Sequence, residues 1–230
     1  KAPKDLVEKT PKILGWDAAG VVVAAAPQAR LFKPGDKVYY AGSNQRPGAN
    51  SQLHLVDERI VGRKPTNLSF PEAAALPLTT ITAWEAMFER MGISKSGADR
   101  GKRLLILGGA GGVGSIAIQL AKKLARLDVI ASASRPDSIA WVKTLGADAA
   151  VDHTRPLPEQ MLALGAPETE YILCCNNTDA VFPALPRLIA PQGHVCSIVR
   201  TTKPVDLSLL QEKSVTFAWE GMFTRSTFQT

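Results

Sequence analysis

Gly109, Gly111 and Gly114 stand on the G-x-G-x-x-G spacing, directly after an apolar run from Leu104 to Leu107 and directly before an amphipathic stretch. Residues of this kind can cradle a pyrophosphate. The first glycine permits a tight turn, the second lets the backbone come close to the phosphates, and the third lets a helix pack tightly on the strand. The phosphates would sit at the helix N-terminus, among free N–H groups and the positive end of the helix dipole. Val113, Ile116, Ala117, Leu120, Ala121 and Leu124 recur at helical period along one face of the helix expected over 112–126. Lys122, Lys123 and Arg126 gather at its opposite, negative end. Strand, glycines and helix in this order predict a dinucleotide site; a glycine-rich turn holding no ligand is the plainer alternative.

Which dinucleotide is bound depends on the end of the next strand, about 20 residues past the glycines and near the adenosine ribose. That strand is expected over 129–134, and Ser134 lies 20 positions after Gly114. An NAD site places Asp or Glu there to accept from the ribose 2′-OH. This sequence offers Ser132, Ser134 and Arg135. A hydroxyl followed by a guanidinium fits a 2′-phosphate, because arginine donates two parallel bonds to phosphate oxygens. Asp128 begins the strand instead of ending it, and Asp137 belongs to the first turn of the following helix. The spacing favours NADP(H) over NAD(H); a solvated surface charge is the other reading of Arg135.

These residues need a scaffold, and 230 residues can bury one large core or two modest ones. Residues 13–65 read as strands and turns, with a Lys33-Pro34-Gly35-Asp36 turn, a polar loop from Gly42 to Asn50 and an alternating strand expected over 52–56. From Pro71 the pattern turns helical, first in Pro-Glu-Ala-Ala-Ala-Leu and then over 82–91, with Ala83, Met87 and Met91 on one face. Strands and helices alternate beyond Gly101. Strands are expected at 103–107, 129–134, 149–151, 171–175, 194–199 and 214–219, with helices at 112–126 and 137–145. An irregular helix over 179–190 carries Pro183 and Pro186. This order predicts an α/β fold: a doubly wound parallel sheet over 79–230, preceded by a β-rich domain over 1–78.

Composition narrows the partners. The net charge of +6 is spread over scattered Lys and Arg with no basic run interleaved with aromatics, so no nucleic acid is expected. A mild excess of positive charge suits a polyanionic cofactor. No apolar stretch reaches the length that spans a bilayer and no signal peptide is visible at Lys1, so no membrane partner is expected. Cys174, Cys175 and Cys196 lie in apolar, strand-like segments. An odd count without a C-x-x-C pair argues for packing in a reducing cytoplasm, against a disulfide framework and against a cysteine-rich zinc site. His54, His153 and His194 show no ligand spacing, so no metal is expected.

Several motifs together resemble the medium-chain dehydrogenase/reductase superfamily, particularly its quinone oxidoreductase-like branch and proteins described as zinc-type alcohol dehydrogenase-like. They are Leu14-Gly15-Trp16-Asp17-Ala18-Ala19-Gly20-Val21-Val22, Phe32-Lys33-Pro34-Gly35-Asp36-Lys37-Val38, Ala73-Ala74-Ala75-Leu76-Pro77, Thr82-Ala83-Trp84, Gly108 to Gly114, and Ala190-Pro191-Gln192-Gly193. The resemblance implies a partial GroES-like domain before a Rossmann domain. It also implies that further strands precede Lys1 and that the chain continues beyond Thr230, so this sequence is expected to be a fragment. Zinc-dependent members carry Gly-His-Glu where Gly15-Trp16-Asp17 stands, and an indole has no lone pair to give a metal. The cysteine-rich lobe of those relatives is also missing between Tyr40 and Gln52.

The resemblance assigns roles to particular residues. Backbone groups of Ala110, Gly111, Gly112 and Val113 match those that bind the pyrophosphate, and Ser134 and Arg135 match positions that approach a 2′-phosphate. His153 matches a position beside the adenosine phosphate, or else is an exposed turn histidine. Thr82 matches a threonine near the nicotinamide, and with Glu85 it also has the spacing of a helix N-cap and capping box. The loops Cys175 to Thr178 and Ile198 to Arg200 should border the nicotinamide. Tyr40 ends a strand of the first domain and either faces the cleft or is a buried tyrosine with a satisfied hydroxyl. No catalytic residue is assigned. The activity implied is NADPH-dependent, zinc-independent hydride transfer to a small-molecule quinone or α,β-unsaturated carbonyl, by a homodimer paired through edge strands near Ser214 to Trp219. The alternatives are an NADP(H)-binding protein without catalysis and a zinc-dependent alcohol dehydrogenase.

Overall fold

The computed structural model describes residues 11–230. They form two compact units, one made of the described residues up to Leu78 together with Met222–Thr230, the other of Thr79–Gly221. Among the described residues no helix is long and apolar enough to cross a membrane.

In the first unit, strands β1 (Asp17–Val21), β2 (Lys37–Ala41) and β3 (Gly62–Arg63) form an antiparallel sheet in that order. Ala18 lies opposite Tyr40 in the β1–β2 register. Helix α1 (Phe70–Ala74) opens on a capping box, in which the Ser69 hydroxyl accepts from the Glu72 N–H and the Glu72 carboxylate accepts from the Ser69 N–H. The strand expected over 52–56 forms no ladder. Its period of two survives with the faces reversed: Leu53 and Leu55 are 72% and 74% exposed while His54 turns inward. The polar residue is the one that finds partners, in the Tyr40 hydroxyl and the Pro47 carbonyl. The last nine residues, expected with the second domain, group with the first unit, where Phe223 packs edge-on against Trp16 with ring centroids 6.3 Å apart.

The helix expected over 82–91 starts earlier, as α2 (Pro77–Trp84), and runs on as a wider turn over Glu85–Arg90. Proline suits the first turn of a helix because its missing N–H would lack an intrahelical partner there. Thr82 therefore lies inside the helix and is not its N-cap.

The second unit carries a six-stranded sheet of β4 (Arg103–Leu107), β5 (Asp128–Ser132), β6 (Ala149–Val151), β7 (Thr169–Cys174), β8 (Ile189–Ser197) and β9 (Thr216–Trp219). Its order is β6-β5-β4-β7-β8-β9 and every pairing is parallel. Alternation along the strands feeds two cores. Leu104, Ile106, Val129, Ala131 and Leu173 pack with Ala117, Ile118 and Val142 on one face. Leu105, Leu107, Ile130, Ile172 and Val195 pack with Met161, Leu185 and Leu188 on the other. Both faces are covered, which is why these strands read as continuous apolar runs.

Helix α3 (Gly112–Leu120) keeps α-helical spacing only to Leu120 and continues as a wider turn over Ala121–Ala125. Arg126 then takes the left-handed conformation, with φ 59°. The wider turn shifts the apolar stripe by one position, so Leu124 is left exposed and Ala125 is fully buried. The other helices are α4 (Pro136–Thr144), α5 (Leu157–Ala163), α6 (Thr178–Val181) and α7 (Leu185–Leu188). A tight turn over Phe182–Ala184 separates the last two, consistent with the two prolines of that segment.

Candidate functional site

Strand order reverses at β4, which pairs with β5 on one side and β7 on the other. Ligands of open α/β sheets bind outside the carboxyl ends of the strands at such a point. Here the second unit holds a cleft of about 470 Å³ lined by Gly108, Ala110, Gly111, Gly112, Val113, Gly114, Ser134, Arg135 and His153. Thr79, Ser132, Ala133, Ser138, Cys175, Asn176 and Ile198 complete it. Gly109 is not in the lining. It lies beneath the loop, where a β-carbon would stand 2.8 Å from that of Ala131. At Gly114 a β-carbon would stand 2.5 Å from the Gly108 carbonyl oxygen and 2.7 Å from Gly109 Cα. Helix and loop thus approach as closely as backbone permits.

Ser132, read from the sequence as facing the ribose, has another task. Its buried hydroxyl oxygen accepts from the Gly108 N–H at 2.8 Å, and its carbonyl accepts from the Gly109 N–H at 3.1 Å. The glycine loop is therefore pinned to the end of β5. Beyond it stand Ser134, Arg135 and Ser138. Arg135 precedes α4, and no side chain caps that helix. Its guanidinium is outside the ion pairs that hold Lys122, Arg155 and Arg187. No Asp or Glu is among the described residues lining this cleft. Uncapped N-termini at α3 and α4, a free arginine and no acid fit a phosphate-rich dinucleotide.

Thr82 is buried and does not line the cleft; Thr79 does. His153 is both an exposed turn residue and a lining residue. Ser138 was missed, although it follows Arg135 by one helical turn, which is the available signal. Beside the cleft, Thr178 and Ser197 are buried with their hydroxyls 2.6 Å apart, and Thr178 donates to the Val199 carbonyl at 2.9 Å. This fixes the turn that carries Ile198. Burial raises the pKa of the Cys175 thiol and pushes those of Cys174 and Cys196 up to about 12, so none is poised as a thiolate.

In the first unit, Trp16, which stands where the Gly-His-Glu motif has its histidine, and its neighbour Asp17 are otherwise engaged. Trp16 Nε1 donates to the Ser43 carbonyl at 3.2 Å. The Asp17 carboxylate accepts from the Leu78 N–H at 2.8 Å. Among the described residues no three His, Cys, Asp or Glu side chains come together as metal ligands. This donor set does not fit zinc.

A buried acid stands at the end of β9. Glu220 meets Arg90 Nε at 2.9 Å, and its side chain is fully enclosed. Burial, then the neighbouring Glu85 carboxyl, pushes its pKa up to about 7, against the pull of Arg90. Unfolded Glu220 ionises near the ordinary carboxyl value of about 4.3. Below that value both forms hold the proton and the stabilisation is complete; as pH rises through about 7 it is lost. We expect the second unit to lose about 1–3 kcal/mol between pH 4.5 and 7.5. Urea unfolding at several pH values should show this slope, and Glu220→Gln should flatten it.

Comparison with known proteins agrees with this architecture. Residues 112–230 match the zinc-binding dehydrogenase family, and residues 3–77 match the alcohol dehydrogenase GroES-like domain. A zinc-type alcohol dehydrogenase-like protein of Staphylococcus epidermidis is 43% identical over 225 residues, 97% of this chain and 67% of the relative. A chloroplastic NADPH-dependent alkenal/one oxidoreductase of Arabidopsis thaliana is 36% identical over 151 residues, 63% of this chain and 38% of the relative. The solved quinone oxidoreductase of Pseudomonas syringae pv. tomato DC3000 has a TM-score of 0.81 and 29% identity, covering 94% of this chain and 66% of that one. The chain belongs to the zinc-binding dehydrogenase family, as a quinone oxidoreductase-like member of the medium-chain dehydrogenase/reductase superfamily. It spans about two-thirds of the length of the staphylococcal relative and of the solved quinone oxidoreductase.

Proposed function

We propose that this oxidoreductase uses NADPH, without zinc, to reduce a quinone or an α,β-unsaturated carbonyl. The observation that carries the cofactor reading is the part of the cleft where Ser134, Arg135 and Ser138 stand, with no carboxylate among the described residues that line it. Gly111, Gly112, Val113 and Gly114 would hold the pyrophosphate at the start of α3. The cofactor supplies hydride chemistry; the protein supplies orientation and a shaped site. The acceptor class is supported by what relatives are named for, alkenals, enones and quinones. It is supported also by chemistry, since a conjugated acceptor spreads the incoming charge and needs no Lewis acid at Trp16.

Fluorescence titration with NADPH and NADH, followed by the loss of NADPH absorbance with quinone and enone panels, tests this reading. Tight NADPH binding with turnover supports it, and preference for NADH refutes the 2′-phosphate assignment. Among the described residues lining this cleft no carboxylate could serve in acid–base work, which favours a second reading, a non-catalytic NADP(H)-binding protein. Binding without turnover of any acceptor would establish it. Stoichiometric zinc by elemental analysis would instead restore the alcohol dehydrogenase reading. We propose further a homodimer through the open edge of β9, where Trp219 is 47% exposed, and a reducing, cytoplasmic setting that suits three free thiols. Sedimentation equilibrium measures the first.

A further inference from the structure

The second unit buries two acids, Glu85 and Glu220, that do not line its cofactor cleft. Their carboxyls are hydrogen-bonded to each other. A carboxylate only accepts, so this bond needs a proton on one of the two. Arg90 Nε meets Glu220 at 2.9 Å and completes the cluster. One guanidinium balances one carboxylate. Ionising both acids would set two negative charges in contact, away from water, against a single positive one.

Each acid is tied to a wall of the cleft. The Glu220 N–H donates to the Ser197 carbonyl at 3.0 Å, and the next residue of that strand end, Ile198, lines the cleft. The Ile198 N–H in turn donates to the Cys174 carbonyl at 3.1 Å, beside the lining residue Cys175. Glu85 and Arg90 stand on the wider turn that continues α2 without a break. Thr79, near the start of α2, lines the cleft from the other side of the chain. Its methyl group stands so close to the glycine loop that a β-carbon on Gly112 would lie 2.9 Å from it. The two walls are thus joined at a hydrogen bond that depends on one proton.

We propose that Glu85 and Glu220 are positioning residues that make cofactor affinity proton-dependent: a proton shared between them holds the Thr79 and Ile198 walls in place for the dinucleotide, and its loss lets them part. This rests on the dinucleotide reading of the cleft given above. Burial, then the Glu85 carboxyl, pushes the pKa of Glu220 up to about 7. The proton is therefore held below that value and passes to solvent above it, and affinity falls as pH rises. Glu85 and Arg90 face Glu220 from the turn after α2. Cys196 faces it from β8, with a thiol that burial pushes up to about 12 and that stays neutral throughout. The coupling is reciprocal, so a bound dinucleotide strengthens the hold of the pair on its proton.

The test uses the full chain, titrated with NADPH between pH 6 and 8.5 as wild type and as Glu220→Gln, which keeps the hydrogen bond without the ionisation. The wild-type Kd should rise about 5-fold more than that of the variant, at the low end of the coupling between linked sites. Comparing the two proteins cancels the ionisation of the cofactor's own phosphates and of every other group they share. Hydrogen exchange of the wild type without cofactor gives a readout that needs no variant. After correction for intrinsic exchange, the amides of Ile198 and Glu220 should lose more protection above pH 7 than those of the central strand β4. The same pH dependence of Kd in both proteins, or an equal loss of protection throughout the sheet, would overturn the positioning role alone. A wild-type protein that binds neither NADPH nor NADH at any pH would overturn the dinucleotide reading and this role with it.

Discussion

Replacing Arg135 with alanine will lower NADPH affinity by about 10- to 100-fold and leave NADH affinity nearly unchanged. The reason is the placement of Arg135 just before α4, lining the same cleft as Ser134 and Ser138 and outside the ion pairs of Lys122, Arg155 and Arg187. A hydrogen bond to a charged group contributes about 1.5–3 kcal/mol, and each 1.4 kcal/mol is about tenfold in affinity. NADH lacks the 2′-phosphate and so has nothing to lose. Parallel fluorescence titrations of wild type and variant measure both. Equal losses for the two cofactors would show that Arg135 supports the loop and does not read the phosphate.

Gly114→Val is expected to have the larger structural effect. Any β-carbon at this position meets the Gly108 carbonyl oxygen and Gly109 Cα, which are backbone atoms that cannot swing aside. Either α3 lifts from β4 or the loop between them is displaced. Overpacking of this kind costs about 3 kcal/mol or more. For a chain of this size that corresponds to roughly 6–12 °C in Tm. NADPH binding should disappear even in the fraction that stays folded, because the displaced loop is the one proposed to cradle the phosphates. Calorimetry and titration together check the prediction. A variant with unchanged Tm and unchanged NADPH affinity would refute it.

Features written in contiguous residues were legible from sequence. The glycine spacing, the apolar strands and the Ser134-Arg135 pair lie within about one βαβ unit, and local pattern sufficed to place them. What escaped depends on distant partners. Thr79 reaches the cleft because α2 begins at Pro77, earlier than the Thr82 cap signal suggests. Leu124 leaves the buried face because of a wider turn that periodicity does not encode. Residues 52–56 alternate as a strand should, yet His54 is the inward member because Tyr40 and Pro47 satisfy it. Glu220 and Arg90 are 130 residues apart, and nothing local announces that they meet.

Trp16 against Phe223, and Asn44 against Thr227, join parts of one unit that lie far apart in sequence, 183 residues in the second case. Thr79–Gly221 is by contrast contiguous, and all its strand pairings are available before Met222 leaves the ribosome. A nascent chain usually folds its N-terminal part first. Here the second unit can be finished while the first still waits for Met222–Thr230. Closing so long a loop adds little entropy cost, since each doubling of length costs only about 0.6 kcal/mol. The delay is one of timing. Until that segment is made, Trp16 and Asn44 lack the Phe223 ring and the Thr227 hydroxyl that they meet in the folded unit.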